Sequence, residues 1–173
     1  MPGAKFDLKN ENLENLYNQP ICMHMSSKEA AIFAKYLIGL HYSAGDMLFT
    51  QGNHLDDHLF IILHGEVEVE AELERGVGKA SHLVLQKRGG LVGILAFIDG
   101  RKHVASAQAK SDVRVALITR QDYAHFKVHH PEIATVILEY LIVASDNIAC
   151  QFLNKYTESI GYIQSAVRPR SMA

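Results

Sequence analysis

The chain has 173 residues, 48% hydrophobic and 21% charged, an ordinary globular balance with enough length for one buried core. A net charge of −2 and a pI near 6.5 give no electrostatic case for nucleic acid or an anionic membrane. Cys22 and Cys150 lie far apart with no CxxC spacing, and the N-terminus lacks the apolar stretch of a signal peptide, so a reduced, cytoplasmic protein is expected.

Residues 1–39 read as helical. Phe6, Leu13, Leu16 and Tyr17 give a weak amphipathic segment, ended by Gln19-Pro20. Ser26-Ser27-Lys28-Glu29 is a capping box, with Ser26 as N-cap and Glu29 reaching back to its amide. The helix predicted there runs through Ala30, Phe33, Ala34 and Leu37, with Gly39 as its stop.

From 40 to 119 the hydrophobic period changes to two. Leu40–Tyr42, Met47–Thr50 and the apolar run Leu59–Leu63 are predicted strands, separated by turns at Gly45-Asp46, Gln51-Gly52-Asn53 and His64-Gly65. The run Leu59–Leu63 has no polar alternation, as expected of a strand buried on both faces. Glu66–Leu73 alternates, with Glu66, Glu68, Glu70 and Glu72 on a solvated face. Arg75–Gly78 is a hairpin turn and Lys79–Gln86 returns. Val104–Ala109 and Val113–Ile118 are further strands. Short strands with closely spaced turn signals predict a mainly β fold with flanking helices, a double-stranded β-helix or jelly-roll barrel.

Within this region Gly89–Ala107, GGLVGILAFIDGRKHVASA, has its own character. Gly89, Gly90 and Gly93 permit a sharp turn, and Leu95–Ile98 supply a short apolar helical turn. Backbone amides at such a helix start can face an anion, and Arg101, Lys102 and His103 follow to supply positive charge.

From 120 to 164 the chain is helical again. Thr119 is the N-cap of a helix that turns Tyr123 and Phe126 inward, and His129-His130-Pro131 breaks it. The next helix carries a stripe of Ile133, Ile137, Leu141, Ala144, Ile148, Phe152, Tyr156 and Ile160, widened by Val136, Tyr140, Val143 and Leu153. One side suits the barrel and the other a second copy, which predicts a homodimer through Pro131 to about Ile163. The apolar run Ile137–Ser145 reads as too short and interrupted to span a bilayer, and residues 165–173 read as a disordered tail. The whole is expected to form one structural domain.

The segment from Val92 to Phe97, followed by Lys102, His103, Val104 and Ala105, resembles the phosphate-binding cassette of cyclic nucleotide-binding domains. That cassette reads Phe-Gly-Glu-(Leu/Ile)-Ala-Leu, a spacer, then Pro-Arg-(Ser/Thr)-Ala. Together with the spacing of the early glycine turns, the resemblance covers about residues 35–160. It implies a regulatory, non-catalytic ligand-sensing domain of the kind found in the cAMP receptor protein. The implied ligand-facing residues are Gly93, Ile94, Leu95, Ala96, His103, Val104 and Ala105. Three of them depart from the pattern. The family's ribose-holding glutamate falls on Ile94, its phosphate-gripping arginine on His103, and the hydroxyl residue on Val104. An imidazole, with an ordinary pKa of about 6.5, is mostly uncharged at neutral pH and lacks arginine's planar fork. These replacements argue against tight cAMP or cGMP binding unless Arg101 or Lys102 substitutes. The remaining readings are a different ligand, more apolar or differently charged, in the same cavity, or a degenerate barrel kept as a dimerisation or interaction module without a ligand.

No catalytic or metal-binding residues are predicted. His54-Leu55-Asp56-Asp57-His58 falls in a turn, where its spacing fixes no metal geometry. No His-x-His pair and no Gly-x-Ser-x-Gly elbow occurs. No helix-turn-helix pattern follows the long helix, so direct DNA binding is not expected.

Overall fold

The computed structural model describes residues 3–8, 16–53, 57–75 and 78–167. In chain order the elements are β1 (Ala4–Phe6), a 3-10 turn (Pro20–Cys22), α1 (Ser27–Ala34), β2 (Ile38–Tyr42), β3 (Met47–Phe49), β4 (His58–His64), β5 (Val67–Arg75) and β6 (Gly78–Gln86). There follow β7 (Leu91–Val92), α2 (Ile94–Asp99), β8 (Ser106–Ala109), β9 (Val113–Thr119), α3 (Arg120–His129) and α4 (Pro131–Val167).

The strands form two sheets, with the orders β1-β2-β9-β4-β7 and β3-β8-β5-β6. The strand pairings among the described residues are antiparallel, from β4 against β9 to β5 against β6. The jelly roll is thus two hydrogen-bonded sheets facing each other. The apolar run predicted to be buried on both faces explains how the layers assemble. Phe60 and Ile62 point between the sheets, where they join Leu40, Tyr42, Phe49 and Leu117. Leu59 and Ile61 point the other way, into a second core with Phe33, Phe97, Phe126, Ile133 and Ile137. All four β4 residues have no measurable exposure. A strand feeding two cores must be apolar at every position, which is why its sequence shows no alternation.

Both capping boxes form. The Ser26 Oγ accepts from the Glu29 amide at 3.3 Å, and the Ser26 amide donates to Glu29 Oε2 at 2.6 Å. These bonds hold the Glu29 carboxyl below its ordinary range. Thr119 and Asp122 repeat the arrangement at α3.

The N-terminal reading needs correction. Phe6 lies in a strand, not a helix, and pairs with Gly39 of β2. Leu13 is outside the described residues. Gly39 does not stop α1, which ends at Ala34 with Lys35 as C-cap. Gly39 is a strand residue because a Cβ there would lie 2.8 Å from the Phe6 carbonyl oxygen. The glycine reports a close backbone approach rather than a helix end.

Two readings of α4 also change. The helix runs unbroken to Val167, and residues 168–173 lie outside the described residues. Its segment Pro131–Asn154 has mean hydropathy 1.6 and is long and apolar enough, by length and composition, to cross a membrane. Counting contiguous apolar residues hid this, because isolated polar residues interrupt the run without lowering its average much. In this fold Ile133, Ala134, Ile137 and Leu141 are buried against the sheet side. The Tyr140 hydroxyl donates to the Gly89 carbonyl at 2.9 Å, tying α4 to the turn before β7.

Candidate functional site

A cavity of about 390 Å³ opens between the second sheet, the glycine-rich segment and α4. Its size falls at the lower end of the range for small-molecule pockets. All seven residues singled out from sequence, Gly93, Ile94, Leu95, Ala96, His103, Val104 and Ala105, line it.

Local geometry explains how they meet. β7 is a two-residue strand held on β4 by the pairs Phe60–Val92 and Ile61–Leu91. Gly93 then takes φ +89°, ψ 9° and caps α2. A Cβ at Gly93 would lie 2.4 Å from the His58 carbonyl oxygen, so both the dihedral and the space demand glycine. The first amides of α2 have no partner within the helix by its nature. Gly100, at φ +72°, ends α2 and sends the chain back toward the cavity.

His103 is placed by its backbone. Its amide donates to the Asn53 carbonyl at 2.9 Å, and its carbonyl accepts from the Gly52 amide at 2.8 Å. The imidazole is only 5% exposed and lies flat on Phe49, with ring centroids 3.9 Å apart and 12° between planes. Ile94 is 8% exposed and packs into the helix-side core. Val104 is 54% exposed at the cavity mouth.

The cavity is apolar beyond what the sequence suggests. Among the described residues, no Asp, Glu, Lys or Arg lines it. Arg101 does not swing in; its Nε donates to Asp99 Oδ2 at 2.6 Å, and its amide donates to Asp99 Oδ1 at 3.0 Å. That pairing holds the Asp99 carboxyl low and the Arg101 guanidinium high relative to their ordinary values. Lys102 is not part of the lining either. Ser145 is a polar contribution from α4, and its hydroxyl donates to the Leu141 carbonyl at 2.8 Å, inside the helix.

Several lining residues were not singled out from sequence. Phe49, Val69 and Ala71 come from β3 and β5, and Ala149 comes from α4. Ile148 and Phe152 were legible only as part of a stripe. The stacking of Phe49 on His103 depends on β3 pairing with β8, Phe49 opposite Ala107, a long-range register with no local signal.

The other candidates stay apart. Residues 54–56 lie outside the described residues, and Asp57 meets the adjacent His58 at 3.9 Å. Glu66 pairs with Lys87 at 2.7 Å, and Glu68 with Lys110 at 3.0 Å, as solvated ion pairs. Among the described residues, no group of three His, Cys, Asp or Glu side chains is disposed to enclose a metal ion.

A fold of two facing sheets, a glycine-capped helical turn and a helix across the cavity mouth defines a known class. The family model of the cyclic nucleotide-binding domain matches residues 40–129, more than half the chain. The chain belongs to the cyclic nucleotide-binding domain family, which is regulatory rather than catalytic. A search among curated proteins found no match.

Among solved structures, a cyclic nucleotide-binding domain from Methylobacillus flagellatus is similar at 22% identity and TM-score 0.65. That similarity covers 94% of this chain and 86% of the other. The catabolite activator protein of Thermus thermophilus is similar at 23% identity and TM-score 0.65, over 80% of this chain and 63% of its own. The regulatory subunit of a cAMP-independent protein kinase A from Trypanosoma brucei is similar at 24% identity and TM-score 0.61, over 85% and 49%. A triple variant of that subunit, in which one substitution replaces threonine with arginine, is bound to cAMP. At these identities the likeness establishes the fold.

Proposed function

We propose that this chain is a non-catalytic, cytoplasmic regulatory domain that senses a small, largely apolar ligand rather than cAMP or cGMP. The observation that carries this reading is the cavity itself. It is open, about 390 Å³, and among the described residues no Asp, Glu, Lys or Arg lines it. A cyclic phosphate entering it would lose water and find no guanidinium. A ribose hydroxyl would meet the Ile94 methyl groups instead of a carboxylate. Each loss costs about 1–3 kcal/mol, roughly ten- to a hundredfold in affinity. The Trypanosoma brucei subunit supports the separation of fold from ligand: it belongs to a cAMP-independent protein kinase A, while a triple variant, one of whose substitutions introduces an arginine, is bound to cAMP.

The rival reading, a filled barrel without ligand, is disfavoured because Val104 stays at the surface and leaves the cavity open. A homodimer through α4 is compatible with either reading. It is supported by the exposure of Leu138, Ile142, Val143 and Leu153.

The test uses N-phenyl-1-naphthylamine, an uncharged apolar fluorescent probe. The folded chain is expected to bind one equivalent with enhanced fluorescence. Ala149→Trp, which projects bulk into the cavity from α4, should weaken that binding at least tenfold, while Cys150→Ser should not. Equal binding by wild type and Ala149→Trp would contradict the reading.

A further inference from the structure

The histidines at the junction of α3 and α4 look scattered in sequence, but the fold gathers them. His125 and His129 are one helical turn apart on the exposed side of α3, with ring centroids 4.3 Å apart. The His130 ring centroid lies 6.4 Å from that of His125. His130 is also the C-cap of α3, and its Nδ1 lies 3.6 Å from Glu132 Oε1. The Tyr36 hydroxyl sits 3.1 Å from His125 Nε2 and orients that ring from the α1 side.

We propose that His125 and His129 form a bidentate surface site for a borderline divalent transition cation, Cu(II), Ni(II) or Zn(II), with water completing the shell. This inference does not depend on the cavity reading.

Four features point the same way. Two imidazoles at i and i+4 on one helix face can share an ion. Imidazole selects these metals over Mg(II) or Ca(II). The site lies at a helix C-terminus, where the backbone dipole favours a cation. Tyr36 holds His125 at one ring nitrogen, the outer-shell contact that fixes ligand orientation and leaves Nδ1 to coordinate. The nearby lysine on this helix, Lys127, is directed over the Tyr123 ring at 5.4 Å from its centroid. Both rings are exposed and can rotate apart to admit the ion. Such an ion would brace the last turn of α3, immediately before α4.

The experiment is calorimetric titration of the untagged full chain with each metal chloride at pH 7.5 and pH 5.5. The expected result is one site of micromolar affinity at pH 7.5, tightest for Cu(II), and at least tenfold weaker at pH 5.5, where imidazoles are protonated. His125→Gln and His129→Gln should each weaken it at least tenfold, and Cys150→Ser should leave it unchanged. Cu(II) should also selectively broaden the ring proton resonances of His125 and His129 in the wild-type protein, a readout independent of any variant's folding. Absence of binding at pH 7.5, binding indifferent to both substitutions, or broadening confined to other residues would overturn the proposal.

Discussion

Gly93 concentrates the constraints on the site. It turns the chain from β7 into α2 with a positive φ, and its missing Cβ leaves room for the His58 carbonyl oxygen. Gly52 also has a positive φ, +83°, but nothing lies within 4 Å of a Cβ built there. The two positions therefore separate conformational strain from steric conflict. Gly52→Ala should cost about 1–2 kcal/mol, the left-handed penalty alone. Gly93→Ala should cost clearly more, by roughly 1–3 kcal/mol, because backbone must also shift. Urea denaturation of both variants measures the difference, and equal losses would contradict it. Ile94 and His103 show how far a residue-level reading reaches. Their identities and their order around the glycine are local, so the sequence marks the site and its departures from the family pattern. That His103 lies flat on Phe49, and that Arg101 is held by Asp99 away from the cavity, follow from strand register and side-chain competition. The first carries no local signal, whereas the second joins residues two apart in the chain.

The elements divide by the range of the forces that form them. The capping boxes at Ser26 and Thr119 and the stripe of α4 are local patterns, and the helices start where those patterns place them. β1 is different. It is three residues long and exists because β2 offers it a partner, with Gly39 permitting the approach of Phe6. A window along the chain sees an apolar phenylalanine and a glycine and reads helix and stop. For α4, Ile133, Ile137 and Leu141 of the stripe are buried on the core side, yet Leu138, Ile142, Val143 and Leu153 are 43–64% exposed. Isolated exposed apolar residues are common, but a row of them along one helix marks a covered surface. Sedimentation equilibrium is expected to give twice the 19.3 kDa chain mass. The double variant Ile142→Asp, Val143→Asp should sediment as a folded monomer. A wild-type monomer at about 100 μM, well above ordinary dimer constants, would sink the dimer reading.

At the scale of the molecule, two cores share the paired strands β4 and β9, and the cavity lies beside them at the edge where the second sheet, the cassette and α4 converge. On the proposed function, the arrangement keeps the family's fold while changing the side chains that would read a cyclic nucleotide. A fold of this kind was legible because its strands carry period-two patterns and its turns carry glycine. The apolar character of the pocket was less so, since Val69, Ala71 and Ala149 converge on it only in three dimensions. The central claim is that ligand choice has been altered on an intact scaffold. The most direct test is calorimetric titration of cAMP into the wild-type chain and into the double variant Ile94→Glu, His103→Arg, both verified as folded. The account predicts no binding heat from wild type at about 1 mM cAMP and micromolar binding by the double variant. Micromolar binding by wild type, or a folded double variant that stays silent, would contradict it.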